Sequence, residues 1–152
     1  MKSKIIVAGS NGFIGKYLVQ EFEALQFEVL QISRHAKHIQ WHENKQIIEA
    51  MENALAVINL AGKSVDCRYT KKNKLDILNS RIDSTKILNQ AVLQCENPPL
   101  HWLNSSTSTI YRHSIDKEMD EYTGEIGNDF SMNVAKSWEK SFFEIETPKT
   151  LK

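Results

Sequence analysis

The sequence predicts an α/β fold in which helices cover both faces of a parallel sheet, a doubly wound arrangement. Short apolar runs rich in β-branched residues alternate with longer amphipathic stretches, and this alternation is typical of parallel strands joined by crossover helices. The length of 152 residues fits one domain over residues 1–152. Neither an internal repeat nor a linker interrupts the alternation.

The first half of the chain predicts three strands and two helices. Residues 4–8 are a short β-branched run, as expected for a buried parallel strand. A helix follows from Gly12, and its predicted apolar face consists of Phe13, Tyr17, Leu18, Phe22 and Leu25. Residues 27–32 predict the second strand, residues 39–41 a short third strand, and residues 46–51 a short helix.

The second half predicts two further strands and two helices. In order they are a strand at 55–60, a helix at 70–95, a strand at 100–104, a polar loop at 105–128 and a helix at 129–145. A bend at Asn79-Ser80 is an alternative to a straight long helix. Asn128 or Asp129 is the expected N-cap of the last helix. The expected strand order is 3-2-1-4-5. Residues 150–152 predict either the start of a sixth strand, in a fragment or truncated gene, or a frayed tail.

Composition excludes several classes of protein. Nineteen Lys and Arg balance nineteen Asp and Glu, so neither nucleic acid nor an anionic membrane is an expected partner. The apolar runs are too short for a membrane-spanning helix, and no signal peptide is expected. Two cysteines are too few for a disulfide scaffold and favour a cytoplasmic location. His35, His38 and His42 lack a metal-site pattern, so no metal is expected.

A glycine-rich loop lies between the first strand and the first helix. It reads Gly9, Ser10, Asn11, Gly12, Phe13, Ile14 and Gly15. The first glycine permits a tight turn, the second lets a pyrophosphate approach the helix N-terminus, and the third lets the helix pack on the sheet. This strand–loop–helix context predicts a Rossmann-type dinucleotide site; the alternative is a turn without a ligand.

The end of the second strand predicts which dinucleotide binds. An acidic residue that would bond the ribose 2′-hydroxyl of NAD is absent there, and Ser33-Arg34 stand in its place. A guanidinium can pair with a 2′-phosphate, and Lys37 could add charge. The sequence therefore predicts NADP(H) in preference to NAD(H), unless Arg34 is only a solvated loop residue.

Several motifs together resemble one family. In order they are the glycine loop, Ser33-Arg34, the run 57–62 (VINLAG), Arg68-Tyr69-Thr70, Ser80-Arg81-Ile82 with Thr85, the segment 105–111 and Trp138-Glu139. They resemble the extended short-chain dehydrogenase/reductases, and among these the NAD(P)-dependent epimerase/dehydratase-like subgroup often labelled cell-division-inhibitor-like. Members of that family are longer, so the resemblance covers the N-terminal, nucleotide-binding half and stops before the C-terminal substrate lobe.

The resemblance implies further site residues and partners. Leu60, Ala61 and Gly62 would lie at a strand end beside the cofactor, and Asp76 and Arg81 match positions that approach the dinucleotide. Asp76 has the alternative of a solvated helix charge. The implied substrate is a small molecule, a sugar nucleotide or another carbonyl compound, and a homodimer is compatible with the family.

The catalytic residues that the resemblance implies are incomplete. Family enzymes use a Ser or Thr after the fifth strand and a Tyr-x-x-x-Lys pair on the next helix. Thr107 and Lys136 match the hydroxyl and the lysine, but Met132 occupies the tyrosine position and a thioether cannot transfer a proton. Tyr111, Tyr122 and His113 are alternative candidates for the catalytic acid, each with the alternative of a solvated or surface-packed loop residue. Two functions remain open, an NADP(H)-binding oxidoreductase or epimerase-like protein and a non-catalytic nucleotide-binding or regulatory module.

Overall fold

The computed structural model describes residues 2–152 and contains a four-stranded parallel sheet. Its strands are β1 (Lys4–Ala8), β2 (Glu28–Ile32), β3 (Ala56–Asn59) and β4 (His101–Asn104). They lie in the order β2-β1-β3-β4, with Ile5 opposite Val29 on one side and Ala56 on the other. The helices are α1 (Phe13–Ala24), α2 (Asn44–Met51), α3 (Lys71–Gln94) and α4 (Phe130–Phe143), with a 3₁₀ turn at Ser108–Ile110. The predicted fold class is confirmed.

Alternation along β1 explains why helices cover both faces of the sheet. Ile5 and Val7 pack with Val19 of α1 on one face, because successive side chains of a strand point to opposite sides. Ile6 and Ala8 belong to the cluster on the other face, which contains apolar residues of α2, α3 and α4. The central strand is therefore apolar on both sides, as its sequence indicates.

The predicted third strand is not formed. Ile39 makes a single parallel bridge to Ile32, at the sheet edge where that strand was expected, and the chain then turns into α2. The observed order is thus the predicted order without its outermost strand. Two bonds close this turn: the backbone N–H of Gln40 donates to the carboxylate of Glu43 at 2.6 Å, and the carbonyl of Gln40 accepts from the backbone N–H of Glu43 at 3.0 Å.

The predicted apolar face of α1 is only partly correct, because Phe22 packs against the core cluster on that side of the sheet but other members of the face are exposed. Phe13 is 96% exposed, and Tyr17 and Leu25 are more than half exposed, whereas Gly15 and Val19 are buried. A Cβ on Gly15 would lie 2.5 Å from the carbonyl oxygen of Gly9. This backbone contact turns the face bearing Gly15 toward the sheet and leaves the aromatic residues at the start of the helix outside.

The remaining elements agree with expectation in kind and differ in detail. Helix α3 runs without a break through Ser80, and the hydroxyl of Ser80 donates to the carbonyl of Ile77 in the preceding turn. Asp129 is the N-cap of α4. Beyond α4, Leu151 forms one parallel bridge to His101.

The glycine loop predicts a stability difference between two alanine variants. Gly15→Ala places a methyl group 2.5 Å from one backbone oxygen and 2.8 Å from the Cα of Ser10, so it should cost about 1–3 kcal/mol in the free energy of unfolding. Gly12→Ala is the matched control, because Gly12 has φ −71° and its Cβ would meet only one atom, at 3.3 Å. Urea unfolding followed by circular dichroism measures both. Equal stability of the two variants would contradict the packing described here.

Candidate functional site

A cleft of about 760 Å³ lies at the carboxyl ends of the strands, where parallel sheets bind ligands. It brings together predicted site residues from three segments, namely Gly9, Asn11, Gly12, Ser33, Arg34, Ala61 and Gly62. It also contains Ser80 of the Ser80-Arg81-Ile82 motif, together with residues that the sequence did not predict to belong to the site: His35, Trp41, Lys63, Asp83, Ser84 and Ile87. Most of these follow a recognised motif by one or two positions, and that adjacency is the only sequence signal for them.

The glycine loop presents an open helix N-terminus to this cleft. Gly12 is the N-cap of α1 and offers no side chain to its N–H groups, so the first-turn donors have no acceptor within the helix. Gly9 has φ +80°, a conformation that favours glycine. Its Cβ would lie 2.7 Å from the backbone of Leu60. The loop is thus held against the turn after β3, and its free donors suit an anion.

The two residues predicted to contact a 2′-phosphate have different surroundings. Arg34 is exposed and lines the cleft. Ser33 is 4% exposed, and its hydroxyl accepts hydrogen bonds from the side chain of Asn11 at 3.0 Å and from the backbone of His35 at 2.9 Å. Ser33 therefore joins the glycine loop to the end of β2, while Arg34 is available to a ligand.

A buried amide fixes the turn that closes the other side of the cleft. Asn59 has no exposed surface and donates to Asn104 at 2.7 Å and to Thr85 at 3.2 Å. Its oxygen accepts from the backbone of Ala61 at 3.1 Å. The Thr85 hydroxyl also accepts from the indole of Trp138 at 3.1 Å and donates to the carbonyl of Arg81 at 2.8 Å. These bonds tie β3, β4, α3 and α4 together.

Asp76 and Arg81 lie behind the cleft and interact with Lys63. The Lys63 ammonium is 2.8 Å from the carboxylate of Asp76, which Lys72 also contacts at 3.1 Å, and these two hydrogen bonds lower the pKa of Asp76. Arg81 donates to the carbonyl of Lys63 at 3.1 Å and lies over the ring of Trp138. Their observed contacts hold the segment after Gly62 in place.

The residues that match the family's catalytic positions interact with neighbouring loop and helix residues. Thr107 precedes the 3₁₀ turn and accepts from the backbone of Thr109 at 3.2 Å. Lys136 donates to the carbonyl of Gly127 at 3.0 Å and to Asn128 at 2.6 Å. Met132 completes the cap of α4, since its sulfur accepts from the Asp129 backbone at 3.3 Å.

The other candidate acids lie away from the cleft. Tyr122 is 89% exposed, and Tyr111 and His113 line a shallow surface depression around Arg112. Within residues 2–152, no cluster of three His, Cys, Asp or Glu side chains could hold a metal ion. No helix in that part of the chain has the length and apolarity needed to cross a membrane.

Comparison with known proteins identifies the relatives of this chain. The sequence profile of the NAD dependent epimerase/dehydratase family matches residues 5–132. The epimerase family protein YfhF of Bacillus subtilis (strain 168) is 30% identical over 151 residues, which cover 93% of this chain and 50% of that protein. The epimerase family protein SDR39U1 of Mus musculus is 30% identical, with 90% and 47% covered. The chain thus spans about half the length of these relatives.

Solved structures give the same result. Human epimerase family protein SDR39U1 (isoform2) with NADPH superimposes with a TM-score of 0.80 at 28% identity, covering 91% of this chain and 48% of that one. MoeE5 in complex with UDP-glucose and NAD has a TM-score of 0.77 at 18% identity, covering 97% of this chain and 52% of that one. The second likeness is one of fold alone.

The buried amide predicts a large loss of stability on truncation. Asn59→Ala leaves the N–H of Ala61 and the oxygen of Asn104 without this partner, and each buried unsatisfied group costs about 1–3 kcal/mol. We expect the free energy of unfolding to fall by about 3 kcal/mol, measured by urea denaturation. Asn44→Ala, at an exposed position of α2, is the control and should change it by less than about 0.5 kcal/mol. A small effect of Asn59→Ala would contradict this assignment.

Proposed function

The chain belongs to the NAD dependent epimerase/dehydratase family, and we propose from this that it binds NADP(H) in the cleft at the carboxyl ends of its strands. The observation that carries the proposal is the uncapped N-terminus of α1 in the same cleft as the exposed Arg34. The cleft offers both backbone donors and a guanidinium. A dinucleotide with an additional phosphate has anionic groups that suit both.

The residues of the chain fit such a cofactor in three places. Gly12 and the first turn of α1 would hold the pyrophosphate, because no Cβ stands between the backbone donors and the cleft. The turn at Ala61 and Gly62 would lie along the cofactor, held in position by Asn59. When bound, the cofactor's nicotinamide supplies hydride transfer.

Preference for NADP(H) over NAD(H) would depend on Arg34. The Ser33 hydroxyl is buried and bonded to Asn11 and His35, whereas the Arg34 side chain is exposed at the mouth of the cleft. A guanidinium presents paired donors that match phosphate oxygens. Ser33 would act by fixing the backbone from which Arg34 extends.

Two activities are compatible with this cofactor site. The first is an NADP(H)-dependent oxidoreductase or epimerase acting on a sugar nucleotide or another carbonyl compound, with Thr107 and Lys136 near the substrate. The second is a non-catalytic nucleotide-binding or regulatory module. Met132 favours the second, because its sulfur serves the cap of α4 and carries no exchangeable proton.

The proposal also includes the cellular location and the oligomeric state of the protein. Cys67 and Cys95 are both free thiols, which supports a cytoplasmic location. A homodimer remains an expectation that sedimentation of the purified chain would test.

Arg34→Ala is expected to reduce selectivity for the phosphorylated cofactor. Loss of a charge-assisted contact should weaken NADPH binding by about 1–3 kcal/mol, or about 5–150-fold, and leave NADH binding nearly unchanged. Isothermal titration calorimetry with both cofactors measures the ratio. Arg68→Ala removes an exposed arginine outside the cleft and serves as the control. Equal binding of NADPH and NADH by the unmodified chain would exclude the preference.

The Met132 position predicts binding without turnover. General acid–base catalysis typically contributes about 10²–10⁴-fold, so a chain with a thioether there should bind NADPH but not oxidise it measurably. The assay follows NADPH absorbance with a panel of carbonyl compounds and sugar nucleotides, and Met132→Tyr is tested beside the unmodified chain. Turnover by the unmodified chain would refute the expectation and direct attention to Tyr111, Tyr122 and His113.

A further inference from the structure

The hydroxyl of Ser33 has a fixed hydrogen-bonding role. Its oxygen accepts from the side-chain amide of Asn11 at 3.0 Å and from the backbone N–H of His35 at 2.9 Å. A hydroxyl offers two lone pairs and one proton. Both lone pairs are therefore in use, and the Ser33 hydroxyl can only donate in any further hydrogen bond.

The ring of His38 receives that proton. Its Nδ1 lies 2.8 Å from the Ser33 oxygen, and because Ser33 can only donate in this contact, Nδ1 must be an acceptor. A histidine that accepts at Nδ1 is neutral and carries its proton on Nε2. The hydrogen-bond count thus sets both the charge and the tautomer of His38.

We propose that His38 is a positioning residue of the cofactor site, which keeps Ser33 oriented so that it holds Asn11 of the glycine loop. A protonated His38 would present a second donor where Ser33 has no free lone pair. Ser33 would then have to release Asn11 or the backbone of His35. The first release frees the glycine loop, and the second frees the backbone next to Arg34.

The groups around the ring favour its neutral form at neutral pH. His35 lies in the same loop, with its ring centroid 5.1 Å away. Ser10 and Asn11 face Ser33 and His38 from the glycine loop and carry no charge; Arg34 and Lys37 are the other charged residues of the segment. Burial, and then His35, lower the pKa of His38 below its ordinary value of 6.5. The ordered loop is therefore present near neutral pH and is lost as the pH falls through this lowered pKa.

Nuclear magnetic resonance tests the arrangement in the chain without cofactor. Long-range ¹H–¹⁵N spectra should show His38 as the Nε2–H tautomer near neutral pH. On titration from about pH 8 to about pH 5, the side-chain amide of Asn11 and the backbone amide of His35 should shift with the midpoint of His38. Two results would overturn the proposal: a His38 ring protonated on Nδ1 near neutral pH, or chemical shifts of these two amides that do not change with the titration of His38.

Binding of NADP⁺ over the same pH range tests the consequence for the cofactor, which rests on the proposed function. His38→Asn is the matched variant, because its Oδ1 can accept from Ser33 and does not titrate. The two proteins should bind NADP⁺ within about twofold near pH 7.5, and the unmodified chain should bind about tenfold more weakly than the variant near pH 5. Titration of the 2′-phosphate is common to both proteins and cancels in the comparison.

The two measurements separate the proposals. Parallel pH profiles for the two proteins would overturn the role of His38 in cofactor binding while leaving NADP⁺ binding itself demonstrated. If the amides follow His38 but neither protein binds NADP⁺ at any pH, the proposed cofactor function is wrong and the positioning of the loop by His38 is supported.

Discussion

The structure of the cleft depends on one buried side chain, the amide of Asn59. It lies at the end of β3, between two parallel neighbours, and both of its N–H donors and its oxygen are hydrogen-bonded. Through Thr85 it reaches Trp138 of α4, and through Ala61 it fixes the turn that the glycine loop contacts. Satisfied polar networks in an apolar interior specify one arrangement, because every alternative leaves a buried group unpaired. The two walls of the cleft are therefore held in register by the same residue.

Sequence reasoning identified the elements that depend on local pattern. The strand at Lys4–Ala8 was predicted to the residue, and α3 to within one residue at each end, because a short apolar run and apolar residues at helical spacing are local signals. The prediction of a third strand was wrong because bonds between Gln40 and Glu43 turn the chain after a single bridge. The predicted face of α1 was correct at Phe22 and wrong at the start of the helix, because a backbone contact at Gly15, which hydrophobic spacing does not encode, sets the rotation of the helix.

The site shows the same division. Glycines and Arg34 could be predicted because their function depends on the residue type itself. The roles of Ser33, Asp76 and Arg81 depend on partners distant in the sequence. In the structure, the side chains of these three residues hold other segments of the site in place. Asn59 was recognised only as part of the run 57–62, and His38 only as one of three histidines without a metal-site pattern. The roles of a neutral histidine in a polar loop and of an asparagine at a strand end can be assigned only when their hydrogen-bond donors and acceptors are counted in the structure.

The central position of β1 has a consequence for how the chain is made. β1 pairs with β2 nearby in sequence, but its other edge pairs with β3, where Ile5 meets Ala56. A ribosome delivers the N-terminus first, so β1 and β2 emerge as an apolar ribbon whose inner edge has no partner until residue 59 is released. An unpaired apolar edge is a template for association with other chains. The inner edge of β1 is therefore open to such association from release of Ile32 until release of Asn59, and the outer edge of β3 is open until β4 is released.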